Sequence, residues 1–356
     1  MGHGTGMRQE LDGNEEMKKS KNAIELASID ILFRRVLQTL AVTVAFLLML
    51  CGGITGSILT LYLLLYTNYW PVTLFYLYWI WMLDRDICDT GGRPINWVRD
   101  WTLWKLVKEY FPTRLERVPW IEFDPKKNYL LCCFPHGIFP MGPFASFAAS
   151  ANGFCKLFPN HVPHPLTLKF NFFLPLLRDL ALSLGMCSVS AKSMNSLLND
   201  PAGGKAAILM VGGAEEAYYC RPGNYTIVLK KRKGFVKIAL QNGSPLVPVF
   251  TFGEINVFNQ LANPKGSVVR SVQDWFKRVI GVVPVIPFGR GHSFIPFRTP
   301  LVTIIGKPIE VEKTVNPTQE QIETLHARFT KELMELFEEQ KYNYLSDPKN
   351  VQLIIE

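Results

Sequence analysis

The chain has 356 residues, 48% of them hydrophobic and 24 of them phenylalanine, which is enough for a sizeable core and more than one small domain needs. The net charge of +8 is unevenly placed: residues 1–35 balance six basic against six acidic side chains, residues 36–83 carry none, and residues 84–356 hold 32 basic against 24 acidic. A basic globular part suits an anionic partner such as a membrane surface or a phosphorylated substrate. The sequence contains no recognisable nucleic-acid module, so no nucleic acid is expected. Seven cysteines without a C-x-x-C pair point to reduced thiols facing the cytosol rather than a disulfide framework. His161 and His164 lack a zinc-like spacing, so no metal is expected.

In chain order, a polar tail (residues 1–35) precedes the uncharged run 36–83, whose 48 residues exceed the ~20 needed for one bilayer crossing. The run therefore predicts two crossings or a re-entrant hairpin, bent at Gly52, Gly53 and Gly56 or near Thr67–Pro71. Arg34 and Arg35 at one flank, with Arg85, Arg93 and Arg99 at the other, place both flanks in the cytosol. Tyr69, Trp70, Tyr76, Tyr78, Trp79 and Trp81 fit an interfacial belt. A cleaved signal peptide is not expected, because the apolar region starts late and lacks a small-residue cleavage site.

Residues 84–356 change pattern. "DWTLWKLVKEYF" (100–111) reads as an amphipathic helix ending at Pro112. "NYLLCCF" (128–134) and "GKAAILMVGG" (204–213) read as buried strands. "GFVKIALQNG" (234–243) has helical spacing and stops at Asn242-Gly243. "PLVPVFTFG" (245–253) and "LVTIIGKPI" (301–309) are further strands, and 317–342 is a helix with Pro317 in its first turn. Strands alternating with helices predict an α/β domain with a mixed, largely parallel sheet flanked by helices. Chemistry in such sheets gathers where strands end and helices begin.

His136 and the turn Gly212–Glu216 both follow apolar strands. If those strands are neighbours, imidazole and carboxylate meet at one edge. A histidine beside a carboxylate can deprotonate a hydroxyl, the carboxylate fixing its tautomer. Gly137 and Gly142 would let a backbone approach a substrate, and nearby N–H groups could hold an oxyanion. A structural histidine at a turn fits equally well, and a thiol at Cys132 or Cys133 with His136 as base is a third reading. "LKKRKGF" (229–235) could bind phosphate through charge and helix N-terminal amides, or be a solvated face.

The assembly "DRDICDTGGRPINWVRDW" (84–101), "FPHG" (134–137), "LKFNFFLPLLRD" (168–179), "VGGAEEA" (211–217), "RKGFVKIAL" (232–240), "LVPVFTFGE" (246–254) and "GKPI" (306–309) resembles the type 2 diacylglycerol acyltransferase family, over roughly residues 84–345. That family includes monoacylglycerol and wax-alcohol acyltransferases. The resemblance implies a glycerolipid acyltransferase-like fold behind a hairpin anchor in the endoplasmic reticulum membrane, with lipid droplets as a second location. It implies acyl transfer from acyl-CoA, a co-substrate rather than a cofactor, to the hydroxyl of a mono- or diacylglycerol. The family's H-P-H-G motif puts its catalytic histidine on His136, beside Gly137, and its first histidine on Phe134. The family's glutamate falls on Glu216. Lys231, Arg232, Lys233 and Gly234 are the expected acyl-CoA contacts, with Phe134, Asn171 and Arg178 as further substrate-binding positions. The distant H-x-x-x-x-D pattern is absent, since Met141 stands five residues after His136, so Glu216 is the expected orienting acid. The alternatives are a monoacylglycerol or long-chain alcohol acceptor, or a catalytically weak lipid-droplet protein of the same fold. Homo-oligomerisation is left open.

Overall fold

Seven strands form one sheet: β1 (Thr113–Arg117), β2 (Tyr129–Phe134), β3 (Val162–Thr167), β4 (Cys187–Ser188), β5 (Lys205–Met210), β6 (Leu246–Phe252) and β7 (Leu301–Ile305), in the order β1-β7-β6-β2-β5-β3-β4. The computed structural model describes the backbone from residue 4 onward except residues 120, 151–152 and 281–282, and side chains from Asp30 onward, residue 280 also excepted. Strands β2 to β6 run parallel, while β7 is antiparallel to β6 and carries β1 parallel to itself. The mixed, largely parallel sheet expected from the sequence is therefore present.

Strands β2 and β6 are buried at every position, as strands covered on both faces must be. Alternation splits β2 between two cores: Leu130, Cys132 and Phe134 face one, Tyr129, Leu131 and Cys133 the other. The main helices are α1 (Gly4–Tyr66), α2 (Trp70–Tyr78), α3 (Thr102–Tyr110), α4 (Leu177–Ser183), α5 (Gly234–Asn242), α6 (Val268–Ile280) and α7 (Gln319–Tyr344). Helix α7 starts two residues later than Pro317 suggests. The Thr318 hydroxyl accepts the Gln321 N–H and the Gln321 side chain accepts the Thr318 N–H, so proline lies outside the capping box.

Strand β3 carries Pro163 and Pro165 and was not legible as a strand. Val162 donates its N–H to Gly204 beside β5, so the proline nitrogens point the other way, where β4 pairs only at Leu166 and Thr167. His161 and His164 are buried there as packing groups.

The uncharged run is one long helix followed by a shorter return. Helix α1 continues to Tyr66, the chain turns at residues 67–69, and α2 passes into a π-turn ending at Leu83. The described part of α1, Asp30–Tyr66, has 37 residues, and its most apolar 18-residue stretch has mean hydropathy 2.1. At ~1.5 Å per residue this exceeds the ~30 Å hydrocarbon core, whereas the return of about 14 residues falls short of it. Of the two expected bends, the one near Thr67–Pro71 is the turn. The glycines lie in unbroken helix and serve close approach instead: a Cβ on Gly53 would meet the Leu174 side chain at 2.4 Å, and one on Gly56 the Pro175 carbonyl oxygen at 2.5 Å. Arg34 and Gln38 bind Glu109 of α3, and Arg298 binds Gln38, fixing the base of α1 to the domain.

Candidate active site

Strands β2, β5 and β6 are neighbours and parallel, so their C-terminal ends open at one edge of the sheet. The loops that follow carry His136, Glu216 and Glu254. His136 is half-buried, two residues beyond β2. Its Nδ1 lies 3.2 Å from the Gly137 carbonyl oxygen, a contact that assigns the proton to Nδ1 and leaves Nε2 as the basic nitrogen. Burial holds the imidazole below its ordinary pKa, with the Gly137 carbonyl opposing the shift more weakly, so the ring is neutral at pH 7.

His136 and Glu216 do meet, but not ring to carboxylate. The buried Glu216 accepts the main-chain N–H of His136 at 2.6 Å through Oε2 and that of Val228 at 2.8 Å through Oε1. The sequence reading had the acid fixing the ring; in the structure the main chain receives it, because the β5 loop presents Glu216 to the backbone of its neighbour. Burial pushes Glu216 up to about 7, against the pull of those two N–H groups. Gly212 makes room, since a Cβ there would stand 2.0 Å from Oε1.

A second buried acid was missed. Glu254, just after β6, accepts the N–H groups of Met141 and Gly142, both at 2.8 Å, and burial pushes it up to about 8. Gly137 has φ +66, and a Cβ there would lie 3.1 Å from Glu254 Cγ. Three main-chain N–H groups of the loop from 134 to 142, those of His136, Met141 and Gly142, are thus held by the two buried acids, while Val228, outside the loop, takes the fourth oxygen. The available signal was an acid placed directly behind the uninterrupted apolar strand "LVPVFTF" and a glycine. With the Met141 and Gly142 amides occupied, the Gly137 N–H is the loop donor next to His136 without a partner among the described residues.

Cys132 and Cys133 are fully buried, and burial pushes both thiols well above their ordinary range, so neither offers a thiolate to the edge. Phe134 is also fully buried and packs towards Phe329, in the core rather than on the cleft wall. Arg178 is buried beneath the exit of the return helix, bonded to Asp84, including its carbonyl oxygen at 2.6 Å, and to Asp179. It anchors that exit. Asn171 donates to Thr167 and lines an apolar cavity of about 120 Å³ between α1, α3 and α4, whose walls do not include His136.

The basic block lies beside the Glu216 loop. Arg232 donates to the Gly212 carbonyl at 3.2 Å and to Glu215 at 3.0 Å, while its buried Nε has no partner. Lys233 pairs with Glu323 at 3.0 Å. Lys231 is exposed and unpaired among the described residues. Gly234 opens α5, whose N-terminus has no side-chain cap.

The fold is an α/β one whose largely parallel sheet gathers His136, Glu216 and Glu254 at its carboxyl edge. Residues 62–356 match the family model for diacylglycerol acyltransferase, and the chain belongs to that family; it is an acyltransferase. Bovine 2-acylglycerol O-acyltransferase 1 is 40% identical over 93% of this chain and 99% of its own. Diacylglycerol O-acyltransferase 2 of Dictyostelium discoideum is 40% identical over 87% and 93%, and human acyl-CoA wax alcohol acyltransferase 2 is 38% identical over 83% and 89%. Among solved structures, the 1-acyl-sn-glycerophosphate acyltransferase PlsC of Thermotoga maritima aligns with a TM-score of 0.41 at 13% identity, over 87% of this chain and 97% of that one.

Proposed function

We propose that the protein esterifies the free hydroxyl of diacylglycerol with an acyl group from acyl-CoA, making triacylglycerol, with His136 as general base. The observation that carries this reading is His136 itself: a neutral imidazole at the open edge of the sheet, with Nδ1 committed to a carbonyl and the loop around it held by Glu216 and Glu254. An acceptor hydroxyl has a pKa far above 7 and needs a base during attack. Nε2 takes that proton as the oxygen bonds to the thioester carbon. The resulting oxyanion is met by the Gly137 N–H. When the carbon–sulfur bond breaks, CoA leaves as a thiolate and the imidazolium returns its proton to solvent or sulfur. No acyl-enzyme is formed.

Lys231, the uncapped start of α5 at Gly234 and the unpartnered Arg232 Nε support a site for the CoA phosphates. Lys233, already paired, contributes less. The long helix α1 supports seating in the endoplasmic reticulum membrane, with residues 1–35 and 84–356 on the cytosolic side and lipid droplets as a second location.

A monoacylglycerol acceptor is the second reading, favoured by the match to bovine 2-acylglycerol O-acyltransferase 1 over 99% of that chain. Membranes bearing the protein, given labelled acyl-CoA and separately mono-, diacylglycerol and long-chain alcohol, distinguish the readings by product. General-base catalysis supplies typically ~10²–10⁴-fold, so His136→Ala should lose turnover on that scale at unchanged membrane level. Near-parental turnover in that variant, or a trapped acyl-cysteine, would remove the mechanism.

A further inference from the structure

Helix α6 (Val268–Ile280) has two unlike faces. Its inner face is bonded to the domain: Gln273 pairs with Asn263 and the Pro284 carbonyl, Asp274 accepts the Tyr218 hydroxyl at 2.7 Å, and Lys277 pairs with Glu215 at 2.9 Å. Arg270 lies 3.6 Å over the Tyr218 ring. The opposite face carries Val268, Val272, Trp275 and Val279, which are 80%, 48%, 55% and 60% exposed. At 100° per residue these four fall in a stripe about 60° wide. Ile286, where the chain returns, is 60% exposed.

We infer that α6 is an in-plane interfacial helix, its Val268–Val272–Trp275–Val279 stripe sunk into the headgroup–acyl boundary of an anionic bilayer. Three observations select a lipid surface as occupant. Residues 261–298 hold six Lys and Arg against the single acid Asp274, most of the chain's excess charge in one segment. Arg278, Lys265 and Arg290 are exposed without ion-pair partners among the described residues, as headgroup contacts require. The segment is also continuous with the membrane helix, because Phe258 at its base packs on Phe46 of α1 with ring centroids 5.1 Å apart. Tryptophan in the stripe suits this boundary.

The consequence is mechanistic. Through Tyr218–Asp274 and Glu215–Lys277, the helix that lies in the bilayer holds the loop carrying Glu216. The mouth of the catalytic edge is thereby set at the depth where a hydroxyl-bearing glycerolipid headgroup resides.

The inference builds on the membrane seating of α1, and the test separates the two. Full-length protein with Cys51→Ser and Cys155→Ser, its five other thiols being buried, receives one nitroxide through Val272→Cys, Trp275→Cys, Arg278→Cys or, as control in α1, Ile58→Cys. It is reconstituted in vesicles of phosphatidylcholine with phosphatidylserine, and collisions with oxygen and with a water-soluble nickel chelate are measured. The expected result is loss of nickel collisions and gain of oxygen collisions at 272 and 275, with the reverse at 278. Nickel collisions at 272 and 275 with a lipid-buried label at 58 would overturn the α6 inference alone. Shielding of 272 and 275 from both reagents would overturn it in favour of a protein partner. A water-exposed label at 58 would overturn both α6 and the membrane seating beneath it. None of these outcomes depends on turnover.

Discussion

Replacing Glu216 with glutamine separates two ways in which an acid can serve a catalytic histidine. Glutamine keeps one acceptor for the N–H groups of His136 and Val228 and turns its NH₂ towards the other, losing a charge-assisted hydrogen bond worth about 1.5–3 kcal/mol. Against this stands the burial of the carboxylate, whose pKa rises from 4.5 to about 7. A group raised in the folded state contributes stability that is present below 4.5 and lost as pH rises through about 7. The ionised glutamate therefore costs about 3 kcal/mol above pH 7, and the amide avoids that cost. Near pH 8 the variant should melt close to the parent, and as pH falls to 5 it should become the less stable of the two. Turnover should drop about 10–100-fold through the shifted loop, since small displacements of a base are costly. The deciding assay is the pH dependence of kcat/KM. A carboxylate bonded to the imidazole would act with about 4 kcal/mol at ~4 Å and an effective dielectric near 20, or about three pKa units. Because Glu216 binds the main chain instead, the acid limb should stay in place in the variant. A limb displaced downward by more than about one unit would refute the reasoning.

In the parent enzyme, burial of His136 should put the acid limb of kcat/KM below pH 6.5, with activity rising as the ring loses its proton; a limb above 7 would contradict the assignment. The family pattern invites Phe134→His as a gain of function, but the side chain is in the core against Phe329. The change should lower the melting midpoint by several degrees, for a cost of about 2–4 kcal/mol, without raising turnover. Gly56→Val would drive a side chain against the Pro175 carbonyl, costing about 1–3 kcal/mol in detergent melts, whereas Ile58→Val on the exposed face of α1 should be near neutral.

Much of the frame was legible because it is periodic. Strands β2, β5, β6 and β7 are short apolar runs closed by Gly or Pro, and α5 and α7 repeat apolar residues at helical spacing. Strand β3 was not, since its two prolines read as a break until its edge-like side is known. Helix α6 escaped for the opposite reason: its apolar stripe points outward, so nothing in the core pattern required it. His136 and Glu216 could be named from strand ends, and their adjacency follows from β2 pairing with β5. Which atom of His136 the acid touches could not be read, because that depends on how two loops turn after their strands.

The same dependence explains why both buried acids are glutamates rather than amides. Each loop at the carboxyl edge leaves backbone N–H groups that the sheet no longer satisfies, and an unpaired buried N–H costs about 1–3 kcal/mol. A carboxylate accepts with both oxygens, as Glu216 does from His136 and Val228 and Glu254 from Met141 and Gly142. A glutamine in either place would satisfy one donor and confront the other. Burial raises both acids, so their ionised forms, which accept from all four N–H groups, carry a desolvation cost that those hydrogen bonds offset only in part. The loop that carries the imidazole is thereby ordered through its main chain, by groups that never touch the ring.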